Sequence, residues 1–109
     1  MTQPSAGGRE AVRSTVPKMI EVTEQVIYGD IWERPGLSKR NRSLVVLATL
    51  ISTYRPEQLR GHLVRALDNG VTKDEIAEVI THLAFYSGWP SSMTAARIAT
   101  EVFKERGIG

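Results

Sequence analysis

Apolar side chains recur along this chain at the three-to-four-residue spacing of helices, and no segment alternates convincingly with the period of two expected of a strand. From Pro17, Met19, Ile20, Val26 and Ile27 share one helical face with Thr23, and Gly29 after Tyr28 supplies a stop. The stretch from Gly29 to Ser38 (GDIWERPGLS) sets turn residues around Ile31, Trp32 and Leu37, which predicts an ordered loop with apolar anchors. Residues Ser38 to Ser52 (SKRNRSLVVLATLIS) are apolar nearly all round from Leu44 to Ile51. Their length and their Leu and Ala content favour a helix in the middle of a bundle or at a subunit contact. Pro56 and Gly70 bracket the next helix, whose stripe is Leu59, Leu63, Ala66 and Leu67. Thr72 and Glu75 then form a capping box that opens a helix bearing Ile76, Val79, Ile80 and Leu83 on one face. SGWP interrupts it, and Pro90 opens a last helix through Ala95, Ala99, Val102 and Phe103 to Gly107. The expectation is an all-α fold, a compact bundle of about five helices over residues 17–109. Before it stands a flexible leader, residues 1–16, with few large apolar side chains.

Composition narrows the chemistry. At 109 residues the chain fits one domain, and the absence of cysteine removes disulfides, thiolate nucleophiles and Cys-ligated zinc together, which suits a reducing, cytoplasmic setting. No apolar run is long enough to span a bilayer and no secretory leader is evident, so the expectation is a soluble protein with no membrane partner. The net charge is only +2, with basic residues dispersed among acids, and this argues against nucleic acid as a partner.

Two histidines carry the candidate chemistry. His62 borders the apolar stripe of its helix and faces a partly desolvated space; a satisfied core or interface histidine is the competing reading. Glu78, His82 and Tyr86 fall at i, i+4 and i+8, the minimal row in which a carboxylate orients an imidazole for general acid–base work. An exposed Glu/His pair without function has the same spacing. Arg42, at the head of the apolar helix, is placed to clamp a substrate carboxylate, and Tyr86 and Trp89 to wall a binding pocket. Glu78 and His82 offer two metal ligands, but no third histidine and no H-E-x-x-H arrangement joins them, so no metal is expected. Phosphate-cradling glycine loops and the G-x-S-x-G elbow are missing.

The order ERPGLSKRNRSLVVLATLIS, then LRGHLVRALDNGVTKDEIAEVITHLAFYSGWPSSMTAA, closely resembles the carboxymuconolactone decarboxylase family. The shared features are an RPGLS run, an RSL-led apolar helix, an H-x-x-x-A-L-x-x-G-x-T segment, an E-I-x-E-V helix and a Y-x-G-x-P turn. They lie between Ile31 and Val102, about two thirds of the chain. The resemblance implies an alkylhydroperoxidase-like fold, a homo-oligomer that is commonly a hexamer built as a trimer of dimers, and cofactor-free decarboxylation of a small carboxylate or lactone in aromatic-acid catabolism. It places His62 in the pocket, with Glu78 and His82 as a second polar group. Thiol peroxidases of the same fold carry C-x-x-C followed by three residues and a His; aligned on His62, Arg55 and Gln58 stand where those cysteines would be, which excludes that chemistry. Some decarboxylase-branch members carry Cys in the Y-x-G-x-P turn where this chain has Ser87. A non-catalytic helical oligomer and a lactone or dienoate isomerase or hydrolase on the same scaffold are the alternatives.

Overall fold

A computed structural model describes residues 6–109, and every regular element among them is helical. The helices are α1 (Ala6–Val12), α2 (Pro17–Val22, continued by a π-helical turn, Thr23–Tyr28), α3 (Lys39–Ser52), α4 (Pro56–Asp68), α5 (Lys73–Ser87) and α6 (Trp89–Glu105), with a short 3-10 turn at Ile31–Glu33. The five helices expected from the periodicity correspond to α2 with its π turn and to α3–α6.

Local chemistry sets the ends. The Ser38 hydroxyl accepts from the Asn41 amide at 3.0 Å, starting α3, and Pro56 occupies the first turn of α4. At the head of α5 the Thr72 hydroxyl accepts from the Glu75 amide at 3.1 Å while the Glu75 carboxylate accepts from the Thr72 amide at 2.9 Å. Gly88, at φ 102°, takes a backbone conformation that L side chains rarely adopt, so α5 reverses directly into α6. At the end of α3 a non-glycine residue, Tyr54, adopts φ 56°, and the Arg55 amide donates back to the Leu50 carbonyl at 2.8 Å.

The core is built from α3, α4, α5 and α6. Leu47, Leu63, Ile76 and Val102, one from each helix, are almost wholly buried, and each such side chain contributes about 1.5–3 kcal/mol by leaving water. Helices α4 and α5 each pack on α3 and on α6, so they stand at opposite corners of the bundle. Polar ties fix the corners. Asn69 donates to the buried Ser43 hydroxyl at 3.0 Å, Ser92 donates to the Ile80 carbonyl at 2.9 Å, and Arg40 pairs with Glu75 of the capping box. In α3 the side buried is Ser43, Leu47 and Ile51, while Val45 is exposed.

The N-terminal region differs from expectation. The first five residues of the anticipated leader lie outside the described residues, and Ala6–Val12 is helical where composition suggested no element. The reason is tertiary. Arg13 bridges Glu10 at 2.7 Å and Glu24 at 2.6 Å, holding both carboxyls below their usual range, and Arg9 stands 3.6 Å from Glu24 with its guanidinium over the Tyr28 ring.

Candidate functional site

His62 projects from the middle of α4 into a cleft of about 630 Å³ that Gln58, Arg60 and Gly61 share with Glu105 of α6 and Gly8 of α1. The helical spacing explains its position: Leu59, Leu63 and Ala66 take the inner face, which leaves His62 at the border, half-buried. Burial first, and the Arg65 charge second, push the imidazole down to about 4, so it is neutral near pH 7. A neutral imidazole offers one acceptor and one donor nitrogen to a ligand. Two residues earlier on α4, Arg60 is engaged, donating to Glu105 at 3.1 and 3.2 Å and pairing with Glu101.

The remaining candidates lie elsewhere. Glu78 and His82 are exposed on α5, and among the described residues no hydrogen bond or ion pair joins them. His82 instead stacks on Tyr86 with ring centroids 4.8 Å apart, while Phe85 meets Trp89 edge-on at 5.5 Å. Tyr86 is 78% and Trp89 59% exposed, and beside them Ile80, Thr81, Ala84, Ser92 and Met93 form a shallow apolar groove of about 160 Å³. Arg42, half-buried at the head of α3, donates to the Arg34 carbonyl at 3.1 Å and so ties down the loop before α3. None of Arg42, Glu78, His82, Tyr86 or Trp89 lines the His62 cleft. Within one chain the two histidines therefore belong to separate surfaces, because their helices occupy opposite corners. Where α3 and α5 end together, the Ser52 and Ser87 hydroxyls are 2.7 Å apart. Among the described residues no three His, Asp or Glu side chains gather as a metal site, and no helix is long and apolar enough to cross a membrane.

Sequence reasoning overlooked a group behind His62. Arg65, one helical turn further along α4, is only 8% exposed, and its guanidinium lies 4.1 Å from the centroid of Tyr28 and 5.6 Å from that of Trp32. Arg9 approaches Tyr28 as well, at 5.0 Å. The i, i+3 spacing from His62 to Arg65 is visible in the sequence. The aromatic partners are not, because the π turn and the loop after it bring them to α4.

Comparison with known proteins matches the same part of the chain. The sequence profile described as the carboxymuconolactone decarboxylase family matches residues 17–101. A 4-carboxymuconolactone decarboxylase of Acinetobacter baylyi is 48% identical over 81 residues, covering 74% of this chain and 60% of that protein. A nitrosuccinic acid decarboxylase of Metarhizium robertsii is 35% identical over 97 residues, covering 89% of this chain and 67% of that protein. The chain thus spans about two thirds or less of these relatives' own length. With the profile matched from α2 into α6, around the all-helical bundle described above, the chain belongs to the carboxymuconolactone decarboxylase family.

Proposed function

We propose that this chain is the subunit of a decarboxylase acting on a small carboxylated substrate of the muconolactone type without a cofactor, and that His62 is its proton-transfer group. The observation that carries this reading is a half-buried imidazole, neutral near pH 7, lining a cleft large enough for a small lactone. The relatives named as decarboxylases support the reaction class.

Loss of CO₂ breaks the bond between the carboxylate carbon and its neighbour. The electron pair passes into the conjugated carbonyl as an enolate, and a proton must then reach the carbon. A substrate carboxylate beside His62 favours the protonated imidazole, since an opposite charge stabilises the cation. His62 thereby gains, on binding, the proton that it later delivers to carbon. Donors directed at the carbonyl oxygen stabilise the enolate most effectively in a site shielded from water.

In this reading the subunit works as a homo-oligomer, most simply a hexamer, in the cytoplasm. The exposed aromatic side chains Phe85, Tyr86 and Trp89 are the kind of surface that a soluble assembly covers. His82, Glu78 and Arg42 are retained as secondary site candidates whose roles depend on such an assembly.

The test is His62→Gln, which keeps size and a hydrogen-bonding head. CO₂ release from a carboxylated muconolactone is expected to fall about 10²- to 10⁴-fold, with helicity and particle size unchanged, and His82→Gln to cost less. An isomerase would change substrate absorbance without releasing CO₂, and a scaffold would do neither. Full activity of His62→Gln on a substrate that the parent converts overturns the assignment and moves the site to Arg42, Tyr86 and Trp89.

A further inference from the structure

Helix α1 is the wall of the His62 cleft that does not belong to the four-helix core. Gly8 lines the cleft from α1, and every other lining residue comes from α4 or, as Glu105, from α6. The seven residues of α1, AGGREAV, include two adjacent glycines. Isolated helices shorter than about 12–15 residues are marginal in water, and glycine weakens them further, so α1 does not hold itself together. Apolar packing does not supply the difference. From Gly8 to Val12 no apolar side chain is buried, and only Arg9 is half-buried. Charge docks the helix instead. The Arg13 guanidinium, just past the end of α1, donates to the two Glu24 carboxylate oxygens at 3.0 and 2.6 Å and to Glu10 at 2.7 Å. Arg9 stands 3.6 Å from Glu24 and lies over the Tyr28 ring at 5.0 Å. The Glu24 side chain, on the π turn, is 40% exposed, so water and salt reach the carboxylate that both arginines share. Residues 13–16 supply a joint. Val16 leaves the helical conformation at φ −130° and ψ 62°, and beyond it the buried Ile20 keeps α2 in place.

We propose that α1 is a hinged lid on the His62 cleft, latched by the pairing of Arg9 and Arg13 with Glu24, which opens to admit a ligand and closes to keep water from the imidazole. The proposal goes beyond the decarboxylase reading and uses only the placement of α1, so it stands whether or not His62 transfers a proton. With the latch made, α1 is ordered and its backbone at Gly8, which carries no side chain, borders the cleft. With the latch broken, α1 loses what offsets its ordering entropy and melts, and the cleft keeps its α4 and α6 walls alone. The core does not feel the change, because Leu47, Leu63, Ile76 and Val102 all lie in α3–α6. A wall that moves at so small a cost suits a site that a small ligand must enter and from which water must then be excluded.

The experiment uses the full chain and two readouts. Amide hydrogen exchange at residues 10–12, followed by NMR, reports the order of α1. The rate at which diethyl pyrocarbonate acylates His62, mapped by mass spectrometry, reports access to the cleft. His82, exposed on α5 at the opposite corner of the bundle, is the internal reference. Glu24→Gln keeps the shape of the side chain and removes its charge; it should speed both processes several-fold while His82 keeps its rate. Gly8→Ala changes no charge and acts in the opposite sense. A methyl group at Gly8 meets nothing within 4 Å and favours the helix, so both rates should fall several-fold. A Glu24→Gln chain with native circular dichroism in which neither rate changes overturns the latch. One in which residues 10–12 exchange faster while His62 reacts at the parent rate overturns the lid, as does a Gly8→Ala chain whose His62 reacts as in the parent. If Glu24→Gln does not fold, Arg13→Gln breaks the same pair from the other side and is judged by the same outcomes. Neither readout needs turnover, so a failure here is separable from a failure of the decarboxylase reading.

Discussion

His62 ties folding stability to acidity. In the unfolded chain its imidazole takes up a proton near 6.5, whereas in the folded chain burial and Arg65 delay this to about 4. Because the unfolded state binds the proton first, the contribution of His62 is fully present above pH 6.5, shrinks as the pH falls through the window, and is gone near 4. The melting temperature should therefore drop between pH 7 and 4.5 by a few degrees more in the parent than in His62→Gln, as read by calorimetry. Parallel curves would show that the folded imidazole titrates normally. His62 was legible as a pocket residue because its place beside Leu59, Leu63 and Ala66 follows from helical spacing alone. Arg65 was not, since nothing on α4 announces that Tyr28 and Trp32 will fold against it.

At the scale of elements, the local signals were the most readable. The capping box of α5 needs only residues 72–75 to declare itself, and both of its hydrogen bonds form. Removing the Thr72 hydroxyl with Thr72→Ala should cost about 1 kcal/mol, measured by denaturant unfolding. Alanine keeps the residue 72 amide that donates to the Glu75 carboxylate, and Arg40 keeps its pair with Glu75, so a cost near zero would mean that these two contacts alone order the turn. Helix α1 was invisible for the opposite reason. Its residues, AGGREAV, form no apolar stripe, and what holds it are Arg9 and Arg13 reaching Glu24 eleven or more positions away. The apolar face foreseen for α2 is real as a pattern, yet only Ile20 is buried in the single chain, while Met19, Val26 and Ile27 stay exposed. Periodicity reveals a stripe and does not say what covers it.

The whole molecule shows where sequence reasoning ended. Bringing His62 together with Glu78 and His82 inside one chain would require α4 and α5 to adjoin, and no helical pattern encodes that they sit at opposite corners with α3 and α6 between them. The same packing leaves the outer end of α5 and the start of α6 crowded with unburied rings, Phe85 at 74% exposure among them. A surface of this kind predicts self-association. Light scattering at micromolar concentration should give a particle of several subunits. The double substitution Phe85→Ser with Trp89→Ser should shrink that particle without loss of helicity. A parent that stays monomeric would overturn self-association, and an unchanged size in the double variant would place the contact elsewhere, with the exposed side of α2 next in order.

The meeting of the Ser52 and Ser87 hydroxyls bears on engineering. Replacing both with cysteine would join the ends of α3 and α5 by a covalent staple. In a chain with no other thiol, the oxidant would have a single intramolecular pair to close. The two positions are 35 residues apart, a loop whose closure removes about 3–4 kcal/mol of disorder from the unfolded chain on entropy grounds. The oxidised Ser52→Cys/Ser87→Cys chain should melt well above its reduced form, and equal melting temperatures would show that the two Cβ atoms do not approach closely enough for the bond. A chain with no thiol of its own would then respond to the potential of its surroundings, with thermal tolerance as the readout.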